Sequence, residues 1–180
     1  MPGPRTPFRR WDLFCRVIDN YGDAGVCWRL AADLGARGER VRLWIDDPAP
    51  LAFMAPRGAP GVEVVHWTAE VVPAEPGDIV IEAFGCDPPP DFVERMAART
   101  PPPLWLNLEY LSAEAWVERS HGLPSPQRNG LTKWFFFPGF GDRTGGLLRE
   151  HGLLAERARF DRDAWLAAQG IAPRPGERIA

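Results

Sequence analysis

The fold of this chain is decided by residues 11–34, which read WDLFCRVIDNYGDAGVCWRLAADL. From Trp11 to Ile18 the sequence is a nearly continuous apolar run, which is typical of a buried parallel strand. The next four residues, DNYG, predict a tight turn because asparagine and glycine tolerate left-handed backbone dihedrals. Asp23 then occupies a helix N-cap position, and apolar residues recur behind it at helical spacing. The stretch therefore predicts a strand, a turn and an amphipathic helix, which Gly35 and Gly38 end.

The remainder of the chain repeats this alternation of strand and helix. Further strands are predicted at residues 41–45, 62–67, 78–84, 104–110 and 134–137, and further helices at residues 51–54, 92–99, 112–119 and 162–169. The alternation predicts an α/β fold with a Rossmann-like, doubly wound, mostly parallel sheet. Ligands bind such sheets beyond the carboxyl ends of the strands. The candidate site loops are therefore residues 19–23, 46–50, 68–70, 85–90 and 110–112.

Composition and charge exclude several classes of protein. No apolar run approaches the roughly 20 residues of a membrane helix, and residues 1–10 lack the apolar core of a signal peptide and are predicted to be a disordered lead-in. The net charge is −3, without a cluster of arginine or lysine that would indicate a nucleic-acid partner. The three cysteines, Cys15, Cys27 and Cys86, have no disulfide or metal-ligand spacing. They are typical of free thiols in a reducing compartment, so we expect a cytoplasmic protein.

Two carboxylates lie on the loop after the first strand. Asp19 and Asp23 are four residues apart, across a turn that joins a strand to a helix, so both can face the same crevice. Such a pair can bind a guanidinium or ammonium group through charge-assisted hydrogen bonds, and one carboxylate can accept a proton. The structural alternative is that Asp23 caps the helix and Asp19 orders an Asx-turn. The spacing alone leaves both interpretations open.

A dinucleotide-binding oxidoreductase is the competing hypothesis for this turn. Its fingerprint is Gly-x-Gly-x-x-Gly, whereas residues 20–25 read NYGDAG and are one glycine short. Asp23 would also place a negative charge near the pyrophosphate. Both observations argue against nicotinamide binding.

The stretch that opens the fold resembles a known family. Residues 11–30 are similar to the beginning of the bacterial elongation factor P arginine rhamnosyltransferases, a protein-arginine rhamnosyltransferase family. The similarity extends in order over most of residues 11–150. It continues through residues 42–47 (RLWIDD), 81–86 (IEAFGC), 107–114 (NLEYLSAE), 121–126 (HGLPSP), 135–140 (FFFPGF) and 144–150 (TGGLLRE).

This resemblance implies an activity and a fold. The family transfers L-rhamnose from dTDP-β-L-rhamnose to one arginine side chain of elongation factor P, with inversion at the anomeric carbon. Its fold is GT-B, in which the N-terminal Rossmann-like domain binds the protein acceptor and the C-terminal domain binds most of the nucleotide sugar. The chemistry requires no cofactor and no metal. The one Asp-x-Asp of this chain, Asp161-Arg162-Asp163, lies where it would cap the last predicted helix.

The resemblance also assigns roles to residues of this chain. The two aspartates of the family's first loop correspond to Asp19 and Asp23. We expect Asp19, which lies nearest the strand end, to be the base, and Asp23 to position the guanidinium or support the loop. The candidate substrate-binding residues are Asn20, Tyr21 and Gly22 in the same loop, and more weakly Glu109, Tyr110 and Ser112 at another strand end.

The resemblance covers only part of the length of the family, because family members are about twice as long as this chain. We therefore expect residues 11–150 to be the acceptor-binding domain, and residues 151–180 to be a connector towards a missing donor-binding domain. A chain of this extent is expected to bind elongation factor P without useful turnover. The alternative hypothesis is a non-catalytic module that binds elongation factor P.

Overall fold

The computed structural model describes residues 9–19, 21–69 and 75–172. The chain divides into two compact units, residues 1–148 and residues 149–180. Two short helices, α5 (Leu153–Arg159) and α6 (Arg162–Ala168), belong to the second unit. The predicted last helix is confirmed as α6, and Oδ1 of Asp161 caps it by accepting the N–H of Ala164 at 2.9 Å.

The described part of the first unit contains one seven-stranded sheet. Its strands are β1 (Arg10–Cys15), β2 (Arg40–Ile45), β3 (Val62–His66), β4 (Ile79–Ala83), β5 (Leu104–Leu108), β6 (Pro124–Pro126) and β7 (Thr132–Phe136). They lie in the order β3-β2-β1-β4-β5-β7-β6, and each neighbouring pair is parallel except β6 and β7. This mostly parallel sheet confirms the predicted α/β fold class and is consistent with a Rossmann-like fold. The strand order changes direction at β1 and β4, where sheets of this kind bind ligands.

Helices cover both faces of the sheet. The helices of this unit are α1 (Gly22–Ala36), α2 (Ala49–Met54), α3 (Pro90–Ala98) and the short α4 (Val117–Ser120). Because successive strand side chains point to opposite faces, Leu13 of β1 packs in a cluster with Cys27 of α1, while Phe14 packs with Phe92 of α3. Two apolar cores, one on each face, therefore fix the strand ends that carry the candidate loops.

The first strand is shorter than its apolar run predicts. It ends at Cys15, because the backbone N–H of Val17 donates to Oδ1 of Asp46 at 2.8 Å instead of continuing the ladder. Ile18, which was assigned to the strand, lies in the loop with 78% of its surface exposed. The apolar run therefore extends into the site loop.

The predicted start of the helix over residues 112–119 is wrong. The N–H of Ser112 donates to the carbonyl of Pro138, and Ser112 forms an isolated parallel bridge with Gly139. This pairing extends the contact between β5 and β7, so the helix begins only at Val117. The prediction also missed β6 and α5.

Gly35 was predicted to end α1 but lies inside its last turn. A Cβ atom at Gly35 would lie 2.3 Å from the carbonyl oxygen of Pro60. The glycine is therefore required by a close approach of the chain before β3, whereas Gly38 follows the helix as predicted.

Some predictions concern residues outside the described ranges. These are most of the lead-in, Asn20, Glu70 at the end of one candidate loop, and the tail from residue 173 onward. In the ranges that are described, no helix has the length and apolarity needed to cross a membrane.

All three cysteines, Cys15, Cys27 and Cys86, are buried and free. A hydrogen bond with Cys15 and burial raise the pKa of Cys27, and burial raises the pKa of Cys86 to about 12. The thiols of Cys27 and Cys86 therefore stay protonated at neutral pH. Over the described ranges, no group of His, Cys, Asp and Glu side chains is arranged to hold a metal ion.

Candidate active site

The candidate site lies at the carboxyl ends of β1, β4 and β5. Three segments meet there: the loop from β1 to α1, the turn after β4, and the residues that follow β5. Parallel pairing of β1 with β4 and of β4 with β5 brings these segments to the same edge of the sheet.

Asp23 is the buried carboxylate of this edge, with 1% of its surface exposed. Its Oδ2 accepts the backbone N–H groups of Ile18 at 2.9 Å and of Asp19 at 3.0 Å. Its Oδ1 accepts the hydroxyl of Tyr110 at 3.0 Å. Asp23 therefore lies inside the first turn of α1 and ties the loop to the residues after β5. The predicted N-cap role is wrong, because Tyr21 is the N-cap residue and no side chain caps the helix.

Asp19 is exposed on the same loop. Its carboxylate lies against Gly22, where an added Cβ atom would be 2.5 Å from Oδ2 of Asp19. The absence of a side chain at Gly22 thus makes room for the Asp19 carboxylate. The loop presents one carboxylate to solvent and holds the other underneath it.

Tyr110 is held on two sides. Its ring stacks on Phe84, with ring centroids 4.0 Å apart and an interplanar angle of 8°. Phe84 has a left-handed backbone, with φ of 58°, which is uncommon outside glycine. Partial burial and the hydrogen bond to Asp23 raise the pKa of Tyr110 to about 12, so its phenol is a neutral donor at physiological pH.

A buried amide connects the turn after β4 to the end of β5. Oδ1 of Asn107 accepts the N–H of Gly85 at 3.1 Å, and Nδ2 donates to Oε1 of Glu109 at 2.6 Å. Asn107 is 2% exposed, and both bonds are partly buried. They orient the Glu109 carboxylate at the same edge as the aspartates.

The edge is therefore acidic, with aromatic rings beside the carboxylates. Asp19, Asp23 and Glu109 supply acceptors, and the exposed ring of Tyr110 lies beside them. Carboxylates and ring faces both favour a cationic group over an anionic one. The arrangement is suited to a guanidinium or an ammonium and unsuited to a pyrophosphate.

Comparison with known proteins identifies the family. The sequence model described as elongation factor P (EF-P) rhamnosyltransferase EarP matches residues 11–179. The chain belongs to the EarP family.

Curated relatives agree with this family assignment. The chain is 56% identical to a protein-arginine rhamnosyltransferase of Pseudomonas putida, in an alignment that covers 92% of this chain and 48% of the relative. It is 50% identical to the protein of the same name from Pseudomonas aeruginosa, over 94% of this chain and 49% of that relative. A Shewanella oneidensis relative of the same name is 47% identical over 86% of this chain and 42% of its own length. The chain thus spans about half the length of the curated relatives it matches.

The structure of this EarP-family chain brings some predicted site residues together and separates others. Tyr110 contacts Asp23 directly. Tyr21 is exposed, and its carbonyl accepts the N–H of Gly25 at 2.8 Å. Ser112 is engaged elsewhere, because its Oγ accepts the N–H of Glu114 at 3.1 Å.

Sequence analysis of this EarP-family chain missed Phe84 and Asn107. Asn107 had a usable signal, since a lone polar residue in the apolar run LWLNL predicts a buried side chain that needs hydrogen-bond partners. Phe84 had none, because a left-handed backbone at phenylalanine cannot be read from the residue type. Phe84 follows β4 and Asn107 lies in β5, and the first-loop motif carries no information about either strand.

Proposed function

We propose that this chain is the acceptor-binding, N-terminal half of a protein-arginine rhamnosyltransferase. The complete enzyme would transfer L-rhamnose from dTDP-β-L-rhamnose to an arginine side chain of elongation factor P, with inversion. It would adopt the GT-B fold, with residues 11–150 as the acceptor domain and residues 151–180 as the connector to a donor-binding domain. We expect it to act in the cytoplasm on a protein acceptor and a nucleotide sugar, without a metal or an organic cofactor.

One observation carries the proposal: a member of this family has the carboxylates of Asp19 and Asp23 on the loop at the switch point of its sheet. An arginine guanidinium keeps its proton up to a pH above about 12, so it is a poor nucleophile by itself. In the proposed reaction a guanidinium nitrogen forms a bond to the anomeric carbon while the bond to the dTDP oxygen breaks. A carboxylate of the loop takes the proton that the nitrogen releases.

The division of roles between the two carboxylates stays a prediction. Asp19 is exposed and can meet an incoming guanidinium directly, which supports its predicted role as the base. Asp23 accepts three hydrogen bonds from described residues, and an ionised carboxylate has about four acceptor sites. A fourth site that no described residue occupies supports the predicted positioning role.

The test is calorimetric titration of elongation factor P into this chain. We expect Asp19→Asn to weaken binding by about tenfold, the value of one charge-assisted hydrogen bond. Asp33→Asn, a change in the helix α1 that follows the loop and at a residue paired with Arg37, is the control and is expected to leave binding unchanged. Elongation factor P with its acceptor arginine replaced by alanine should lose the same affinity. Equal binding by the wild type and Asp19→Asn would contradict the proposed site.

The alternative function is a non-catalytic module that binds elongation factor P. It requires only the acceptor edge formed by Asp19, Asp23 and Tyr110. Incubation of the chain with elongation factor P and dTDP-β-L-rhamnose, with and without a donor-binding half, followed by mass spectrometry, separates the two functions. An acceptor that gains one deoxyhexose shows turnover by this chain, whereas binding without a mass change is the result expected of the module and of the half-enzyme. Addition of a separately expressed donor-binding half from a relative would restore turnover only for the half-enzyme.

A further inference from the structure

We propose that Tyr110 is a positioning residue, whose hydroxyl fixes the Asp23 carboxylate in one orientation and whose ring is fixed in turn by Phe84. This inference rests on the proposed function only in assigning Asp23 to the acceptor arginine. It replaces the weaker expectation that Tyr110 binds the substrate itself.

The hydrogen-bond pattern of Asp23 is the first step. Two backbone donors hold Oδ2, but both belong to the loop that leads into the first turn of α1, where Asp23 itself lies. Among the described residues, the Tyr110 hydroxyl is the donor that comes from a different part of the sheet, since it lies beyond the end of β5 and binds Oδ1. It therefore relates the carboxylate to the rigid frame of β4 and β5.

The backbone of Phe84 is the second step. A non-glycine residue with φ of 58° is held in a sparsely populated conformation, and such residues persist only where surrounding contacts determine them. Here the N–H of Phe84 donates to the carbonyl of Leu108 at 2.7 Å, which locks the turn to β5. The result is the stacked arrangement of Phe84 with Tyr110. The turn after β4 thus positions the Tyr110 ring by stacking, and the Tyr110 hydroxyl positions the Asp23 carboxylate by its hydrogen bond.

A merely structural role for Tyr110 makes different predictions. Tyr110 is 53% exposed, so its ring contributes little to the apolar core. Loss of the hydroxyl in Tyr110→Phe keeps the stack on Phe84 and leaves the fold intact. A change in acceptor binding without a change in unfolding midpoint would therefore report positioning.

The first experiment tests the contact without reference to function. In a Tyr21→Phe background Tyr110 is the only tyrosine of the chain. Its ionisation is followed by phenolate absorbance, with circular dichroism recorded on the same sample to confirm that the protein stays folded. Since the pKa of Tyr110 is raised to about 12 in part by Asp23, Asp23→Asn should move the ionisation to lower pH. An unchanged ionisation would overturn the inference whatever the function of the site.

The second experiment is a double-mutant cycle on binding of elongation factor P to this chain. Tyr110→Phe should weaken binding about fivefold to tenfold in the wild type, and have no further effect when Asp23→Asn is already present. Phe84→Leu, which removes the stacking ring, should reproduce part of the loss. Phe53→Leu, at an exposed phenylalanine of α2, is the matched control and should bind as the wild type does.

The outcomes separate this inference from the proposed function. If Asp23→Asn weakens binding and Tyr110→Phe does not, the positioning role is wrong and the proposed acceptor site stands. If Tyr110→Phe weakens binding equally in both backgrounds, the residue acts independently of Asp23 and the inference is again overturned. If neither Asp19→Asn nor Asp23→Asn affects binding, the proposed site fails and the positioning role fails with it.

Discussion

Lys133, the only lysine of the chain, places its Nζ 2.6 Å from Oε1 of Glu82, a carboxylate with no exposed surface. The indole N–H of Trp105 donates to the other oxygen of Glu82 at 3.2 Å, and the ammonium lies 4.9 Å from the centroid of a Trp105 ring. The group links β4, β5 and β7 on the face that α3 covers. Lys133 and Glu82 therefore form a structural ion pair inside the half of the sheet that supports Tyr110.

Replacement of Lys133 by methionine should lower the free energy of unfolding by about 3–5 kcal/mol, because Glu82 would be left as an uncompensated buried charge. Urea unfolding at neutral pH measures the loss. The double variant Lys133→Met, Glu82→Gln should recover part of it. Arg143→Met, which breaks the exposed pair of Arg143 with Glu118, is the control and should cost less than about 1 kcal/mol. Equal losses in Lys133→Met and Arg143→Met would contradict a buried pair.

Ionisation of Asp78 should make the free energy of unfolding depend on pH in a defined direction. Its carboxylate accepts the N–H of Arg10 at 2.9 Å and contacts the guanidinium of Arg99, and these bonds lower the pKa of Asp78. A lowered pKa in the folded state gives stability that is complete above the ordinary value of about 3.9 and is lost as the pH falls through the lowered pKa. The advantage of the wild type over Asp78→Asn in urea unfolding should therefore be present at neutral pH and shrink in strong acid. An advantage that grew on acidification would contradict the assigned contacts.

The two first-loop aspartates should differ in their effect on stability. An amide at Asp23 keeps one acceptor oxygen and turns the other into a donor, although the three described partners of Asp23 are all donors. Asp23→Asn should therefore cost about 1–3 kcal/mol of unfolding free energy. Asp19→Asn, at an exposed side chain, should change it by less than about 0.5 kcal/mol. Thermal unfolding of the two variants side by side decides the point, and equal losses would be inconsistent with a buried Asp23.

Alanine substitutions within α1 should have opposite effects at two glycines. Gly35→Ala would push a methyl group to 2.3 Å from the carbonyl oxygen of Pro60 and should destabilise the protein by about 1–3 kcal/mol. Gly25→Ala would place its methyl group 3.8 Å from Sδ of Met54, which is ordinary contact. Because alanine favours a helix over glycine by up to about 1 kcal/mol, Gly25→Ala should be neutral or stabilising. A stable Gly35→Ala variant would contradict the close approach of the chain before β3.

The fold class was predictable because it rests on local patterns. The apolar run after Trp11 and the helical spacing that begins at residue 23 specify a strand and a helix in succession, and their repetition specifies a mostly parallel sheet. The end of β1 was not predictable, because it depends on Asp46, a residue that follows the neighbouring strand β2. The helix start predicted at Ser112 was wrong for a similar reason, since the segment around Ser112 pairs with Pro138 and Gly139 and does not form a local helix.

Only the part of the candidate site that lies on the first loop was predictable from the sequence. Sequence analysis found Asp19 and Asp23 because their spacing around a turn carries the chemistry. It could not decide between a cap and a site role for Asp23, however, since the burial of that residue and its bond to Tyr110 arise from the meeting of two distant loops. The contribution of Phe84 was hidden for a further reason, because its backbone conformation is imposed by the turn after β4.

The short strand β6 has a consequence for behaviour at high protein concentration. It lies at one end of the sheet order and consists of Pro124, Ser125 and Pro126. Proline has no N–H, so the free side of this strand can offer at most one backbone donor to an added strand. Prolines at sheet edges hinder the strand-to-strand association that begins aggregation. Replacement of both prolines would open this edge, and the chain would be expected to form intermolecular sheet more readily.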